Sequence, residues 1–270
     1  MSEIYIGLMS GTSTDGVDGI LADLANQDIQ VLADASMPLP DPLRQELLAL
    51  NSPGHNELAR AAQAANGLAD CYATITERLL RTGGVPAASV RAIGAHGQTV
   101  RHAPQAGYTI QINAPARLAE RTGIAVVADF RSRDVAAGGQ GAPLVPAFHA
   151  ARFGQTAGRV ILNLGGIANL TILEAPVRGF DTGPANMLMD AWAQRHLGRP
   201  YDNQGMWAAQ GHCNAGLLRH LCAEPWLAQP PPKSTGRDLF SIDWLDARLQ
   251  AWPASVPPAD VQATLLQLSV

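Results

Sequence analysis

Two stretches of the chain place a short apolar strand, a glycine-rich turn and a second strand in immediate succession. They are GLMSGTSTDGVD at Gly7 to Asp18 and NLGGIAN at Asn163 to Asn169. Strands joined by so few small residues can only form hairpins. Ile4 to Met9 and Gly16 to Asp23 read as the first pair, with Ile29 to Ala35 as a third strand. Arg159 to Leu164 and Ala168 to Leu173 read as the second pair. Helical spacing follows each hairpin: Leu43 to Leu50 and Asn56 to Thr82 after the first, and Asn186 to Leu197, Asn214 to Ala223 and Ser241 to Gln250 after the second. Between these lie strand-like Arg91 to Ala95, Tyr108 to Ile112 and Ile124 to Asp129, and a helix at Pro115 to Thr122. Pro257 to Val270 begins a last helix without a stop signal. No repeat of short period is present. A duplicated α/β unit, its sheets covered by helices, is the simplest account. The expected domains are 1–150 and 151–270.

Composition narrows the function classes. With 270 residues, 47% of them hydrophobic, the chain can bury a substantial core. Charged residues make up 16%, the net charge is -4 and no Lys/Arg run occurs, so nothing suggests a nucleic-acid surface. Cys71, Cys213 and Cys222 are too few and too scattered for a disulfide framework or a zinc site. There is no signal-peptide pattern and no apolar run of membrane-spanning length, and the expectation is a cytoplasmic protein.

The motifs point to phosphate chemistry. In the first hairpin the small residues let backbone N–H groups approach an anion, and Ser10, Thr12 and Ser13 add hydroxyl donors. Asp15 and Asp18 are candidate Mg²⁺ ligands. No Gly-Lys-Ser/Thr follows, so this is not a Walker A loop. Gly165 and Gly166 form a second such turn, and the two together would clamp a triphosphate. Asp181, in GFDTGPAN ahead of a helix, is placed either for a general base or for an ordinary Asx turn. His96, Gln98 and Thr99 in GAHGQT, and Arg131 and Arg133 in DFRSRD, crowd polar groups after apolar strands. The arginines would suit a carboxylate, or a salt bridge to Asp129 or Asp134. PKSTGRD at Pro232 to Asp238 is a polar loop.

These motifs, in this order, resemble the anhydro-N-acetylmuramic acid kinase family of the actin/hexokinase ATPase superfamily. The resemblance rests on GLMSGTSTDGVD, AIGAHGQTVRH at Ala92 to His102, VADFRSRDVAAGGQGAPLVPAFH at Val127 to His149, NLGGIANLT at Asn163 to Thr171, GFDTGPANMLMDAW at Gly179 to Trp192 and PKSTGRDLF at Pro232 to Phe240. It implies an actin-like ATPase (ribonuclease H-like) α/β fold, with two domains flanking a nucleotide cleft. The implied reaction uses ATP and Mg²⁺ to open 1,6-anhydro-N-acetylmuramic acid with water and phosphorylate O6, in peptidoglycan recycling. By similarity Asp181 is the base that activates the water. Gly11, Thr12, Ser13, Thr14, Asp15, Gly16, Val17 and Asp18, with Gly165 and Gly166, would bind the ATP phosphates. His96, Gln98, Thr99, Arg131, Arg133, Asn169 and Asn186 would line the sugar. A homodimer is implied, with neither nucleic acid nor membrane as partner. The family carries a further C-terminal glycine-rich segment, so the second domain is expected to be incomplete. Two other readings are a hexose or amino-sugar kinase of the same superfamily and a truncated, non-catalytic sugar- or nucleotide-binding module.

Overall fold

The computed structural model describes residues 2–11, 14–25, 29–154, 156 and 158–270. It divides into two compact units, Met1–Gly141 and Ala142–Val270.

The first unit is mixed α/β. Its strands are β1 (Ile4–Met9), β2 (Gly16–Asp23), β3 (Gln30–Pro38), β4 (Val90–Ala95), β5 (Gln98–Ala103), β6 (Tyr108–Ile112) and β7 (Val126–Val127). Its helices are α1 (Asp41–Ala49), α2 (Glu57–Gly83), α3 (Pro115–Thr122) and α4 (Phe130–Ala136). The main sheet runs β3-β2-β1-β4-β7, and β5 pairs with β6 in a separate ribbon. β1, β2 and β3 are antiparallel neighbours, while β4 lies parallel to β1 and β7 parallel to β4. α2 has 27 residues and buries a stripe of Ala64, Leu68, Tyr72, Ile75 and Leu79. That stripe packs with Ile6, Leu8, Val17, Leu21 and Ile93 of the sheet. The approach is close enough that a Cβ at Gly19 of β2 would overlap Ile75 Cγ2. Glycines with left-handed φ end α2 and α3, at Gly84 and Gly123.

The second unit holds α5 (Pro146–Phe153), β8 (Val160–Leu164), β9 (Ile167–Ile172), β10 (Arg178–Pro184), α6 (Asn186–Leu197), α7 (Ala215–Cys222), α8 (Ile242–Gln250) and α9 (Pro258–Ser269). Its sheet is an antiparallel meander ordered β10-β9-β8. Leu188, Trp192, Leu217, Leu221, Phe240, Leu245, Val261 and Leu265 form its core. Among the described residues β8 has a neighbour on one side only.

Several expectations change. Ile124 to Asp129 is extended only at Val126–Val127, because Asp129 takes a left-handed φ of 61° and the chain turns into α4. β10 is a full strand that the alternation did not announce, since Gly179, Gly183 and Pro184 interrupt it. The expected boundary at residues 150/151 falls inside α5.

Candidate active site

Side chains hold the described residues on either side of the first glycine turn. Ser10 Oγ donates to Gln98 Oε1 at 2.5 Å, and Gln98 Nε2 donates to Thr14 Oγ1 at 3.3 Å. All three residues are at most 1% exposed. Arg44 Nε donates to the Thr14 carbonyl, and Thr14 has a left-handed φ of 55°. Gln98 therefore braces the loop. Thr12 and Ser13 lie outside the described residues. Val17 is 0% exposed, so its side chain belongs to the core and only its backbone is open to a ligand role.

Asp15 and Asp18, the candidate Mg²⁺ ligands, stand just before β2 and within it. The Asp15 carbonyl accepts from Leu39 N at 3.1 Å and so extends the β2–β3 ladder. Asp18 Oδ1 accepts from Ser36 Oγ at 2.6 Å. No group of three or more His, Cys, Asp or Glu suited to a metal occurs among the described residues.

At the end of β4, His96 Nδ1 lies 2.7 Å from the Gly97 carbonyl, and Arg131 Nε donates to His96 Nε2 at 2.8 Å. A carbonyl cannot donate and a guanidinium cannot accept, so the imidazole carries its proton on Nδ1 and is neutral. Burial, with Arg131 adding repulsion, pushes its pKa down to about 4. Arg131 also donates to the Gly141 carbonyl at 2.7 Å. Thr99 Oγ1 accepts from Gln111 Nε2 across the β5–β6 ribbon. The Arg133 side chain is exposed and, among the described residues, has no hydrogen-bond or ion-pair partner.

The second unit holds Asp181, the candidate catalytic carboxylate. Asp181 sits within β10, not at its end, and is 5% exposed. It lies directly opposite Asn169 on β9, so both side chains share a face. On its other side runs the Lys233–Thr235 segment. Asp181 N donates to the Lys233 carbonyl at 3.0 Å, and Thr235 N donates to Asp181 Oδ2 at 2.9 Å. Asn169 Oδ1 and Thr235 Oγ1 are buried without a partner. Two orphaned polar atoms beside a buried carboxylate are a seat for a water or a hydroxyl.

The second glycine turn caps a helix. The Gly166 carbonyl accepts from Ala185 N and Met187 N, and the Gly165 carbonyl from Asn186 N. Asn186 Nδ2 donates to the carbonyls of Leu164 and Gly165, so this side chain is a clamp for the turn. Because peptide C=O and N–H are anti, the Gly166 N–H points away from α6. That donor set suits an anion.

The profile of the anhydro-N-acetylmuramic acid kinase family matches residues 3–270. The chain belongs to this family. An anhydro-N-acetylmuramic acid kinase of Bordetella parapertussis is 64% identical over 270 residues, covering 98% of this chain and 71% of that one. One from Variovorax paradoxus is 58% identical over 279 residues, covering 99% and 74%. A solved reductive activator for a corrinoid iron–sulfur protein matches with a TM-score of 0.38 at 15% identity, over 68% of this chain and 31% of that one. A likeness at that level carries no argument.

Lys233 and Thr235 belong to the polar loop expected at Pro232 to Asp238, without an individual role expected for either. Their signal was the PKSTGRD stretch, whose polar side chains gave no hint that its backbone lies against Asp181.

Proposed function

We propose that the chain catalyses ATP-dependent phosphorylation of 1,6-anhydro-N-acetylmuramic acid with hydrolytic opening of the anhydro bridge. The observation that carries this is Asp181: a buried carboxylate with one oxygen fixed by Thr235 N–H, flanked by the unpartnered Asn169 Oδ1 and Thr235 Oγ1. Asp181 takes a proton from a water held by those two atoms. The water oxygen bonds to C1 as the C1–O6 bond breaks. O6 receives the γ-phosphoryl group and ADP leaves, so sugar, ATP and water give N-acetylmuramic acid 6-phosphate, ADP and a proton. Such a transfer asks for position and charge stabilisation more than covalent help.

Supporting parts come from each unit separately. The order β3-β2-β1-β4-β7 fits the ribonuclease H-like sheet of actin-like ATPases. Ser10, Gly11, Thr14 and Gly16 of the first turn, with Gly165 and Gly166, would offer backbone donors suited to ATP phosphates. Arg133, unpaired and exposed, suits the sugar's lactyl carboxylate better than the already engaged Arg131. Mg²⁺ would accompany the nucleotide, with Asp15 and Asp18 as the carboxylates that would hold it directly or through water, and no step is assigned to it. We place the enzyme in the cytoplasm as a homodimer, and no helix of the described residues is long and apolar enough to cross a membrane.

The test is a reaction with Mg-ATP and 1,6-anhydro-N-acetylmuramic acid in ¹⁸O water, read by mass spectrometry. One heavy oxygen in the phosphorylated product is expected, with Asp181→Asn slower by about 10²-fold or more. A product without the label would remove the hydrolytic step.

A further inference from the structure

Lys233 is a charge where packing alone favours an apolar residue. It is 8% exposed. Its Nζ donates to the carbonyls of Leu227 at 2.9 Å and Trp226 at 3.4 Å, and stands 4.4 Å from the Trp226 ring centroid. No carboxylate pairs with it at ion-pair distance among the described residues. Burial pushes its pKa down, and Asp181 is the charge that opposes the shift. Burying a lone ammonium is costly, and carbonyls with an aromatic face offset only part of that. The other ionisable groups on the neighbouring elements are Glu224 and Arg248, which pair with each other at 2.6 Å, and Arg237 and Asp238 along the same segment.

The same residue reaches Asp181 through the backbone. Its carbonyl accepts the Asp181 N–H, and two residues on Thr235 N–H holds Asp181 Oδ2. We propose that Lys233 is the positioning residue of Asp181: its tethered ammonium holds the segment 232–236 along β10 and sets the place and field of the carboxylate. An apolar residue of equal length would fill the space without the carbonyl tether or the charge. The inference rests on Asp181 as the base, and its test separates the two ideas.

The first measurement needs no turnover. In the full chain, the ¹⁵Nζ signal of Lys233 and the amide proton of Thr235 are followed by NMR through a pH titration, beside Asp181→Asn. The variant is expected to lower the Lys233 midpoint and move the Thr235 amide upfield. An unchanged midpoint overturns the coupling. The second measurement is kinetic. Lys233→Met is expected to lose about tenfold or more in kcat. KM for both substrates should stay within about threefold, as for an interaction made only in the transition state. Lys233→Arg is expected to recover most of the loss. Equal damage to kcat and to both KM values without recovery by Arg would mean a merely structural lysine and overturn the proposal. If Lys233→Met fails to fold, the Asp181→Asn titration still decides, because it leaves Lys233 in place. A wild-type chain that never turns over, while its Lys233 midpoint responds to Asp181→Asn, would keep the positioning and remove the catalytic reading.

Discussion

β1 and β8 each open an antiparallel hairpin and are nearly alike as strings, IYIGLM against VILNL. Their fates differ. β1 lies between β2 and a parallel β4, with Ile6 and Leu8 at 1% and 3% exposed. β8 borders β9 alone among the described residues, and Val160, Leu162 and Leu164 are 50%, 55% and 55% exposed. An apolar run makes a strand, but its neighbours decide how much of it is buried. A bare edge of this composition is also an invitation to pair with other chains.

The sharpest test of that contrast is truncation. Ile6→Ala should cost about 2–5 kcal/mol, as core deletions do. Leu162→Ala should stay within about 0.5 kcal/mol, as exposed positions do. Urea unfolding of both variants measures this. Equal costs would mean that β8 is covered in solution and would break the comparison. Leu162→Lys should leave stability unchanged while lowering aggregation in light scattering, because a charge on an edge blocks strand pairing.

Acid provides the next test, because the two units carry different titrating groups. In the first unit neutral His96 has a pKa of about 4 against an unperturbed 6.5. Below pH 6.5 the unfolded chain gains a proton that the folded unit refuses, so stability falls as pH drops, by roughly 3 kcal/mol down to pH 4. His96→Gln should flatten that slope. In the second unit Asp181 and Glu224 are buried acids, and Glu224 carries the resolved shift. Burial raises its pKa, but the donors Trp244, Arg248 and Trp226 N–H outweigh burial and the net shift is downward from 4.5. Its contribution is present above pH 4.5 and lost only below it. Exposed His196 shifts the same way as His96 and, screened by solvent, adds little. Fluorescence of the five tryptophans, all in the second unit, reports on that unit alone and should hold steady from pH 6.5 to 4.5. A tryptophan transition in that window would dissolve the distinction.

Much of this was legible in the sequence. The hairpins, α2 and α6 came from period and turn chemistry, because local spacing determines local structure. β10 did not, since its glycines and proline hide a strand that only β9 and the 232–236 segment make regular. At the site, Asp181 was legible as a residue but not as a geometry. Gln98 and Asn186 read as ligand contacts, and that each also ties down the turn beside it was not legible, because a polar side chain in a motif can face a ligand or the backbone nearby. Lys233 was not legible because a lysine in a proline-rich loop reads as surface. Its burial comes from Trp226, seven residues away in sequence but stacked on the ammonium.

The smallest effects belong to the two glycine turns, where the units look most alike. A Cβ on Gly16 would stand 2.7 Å from the Met37 carbonyl oxygen, a backbone atom that cannot step aside, so Gly16→Ala should cost about 1–3 kcal/mol. A Cβ on Gly165 would meet nothing nearer than Ile167 O at 3.5 Å, and its φ is not left-handed. Gly165→Ala should therefore leave stability unchanged or raise it by up to about 1 kcal/mol, through a stiffer unfolded chain. The fold needs the first glycine and does not need the second. Under the proposed phosphate role, the second would keep space open at the turn for a ligand. Titration with a fluorescent ATP analogue should show weaker binding for Gly165→Ala at undiminished stability. Unchanged binding would leave that glycine without a role in either fold or site, and would move the second phosphate contact away from the β8–β9 turn.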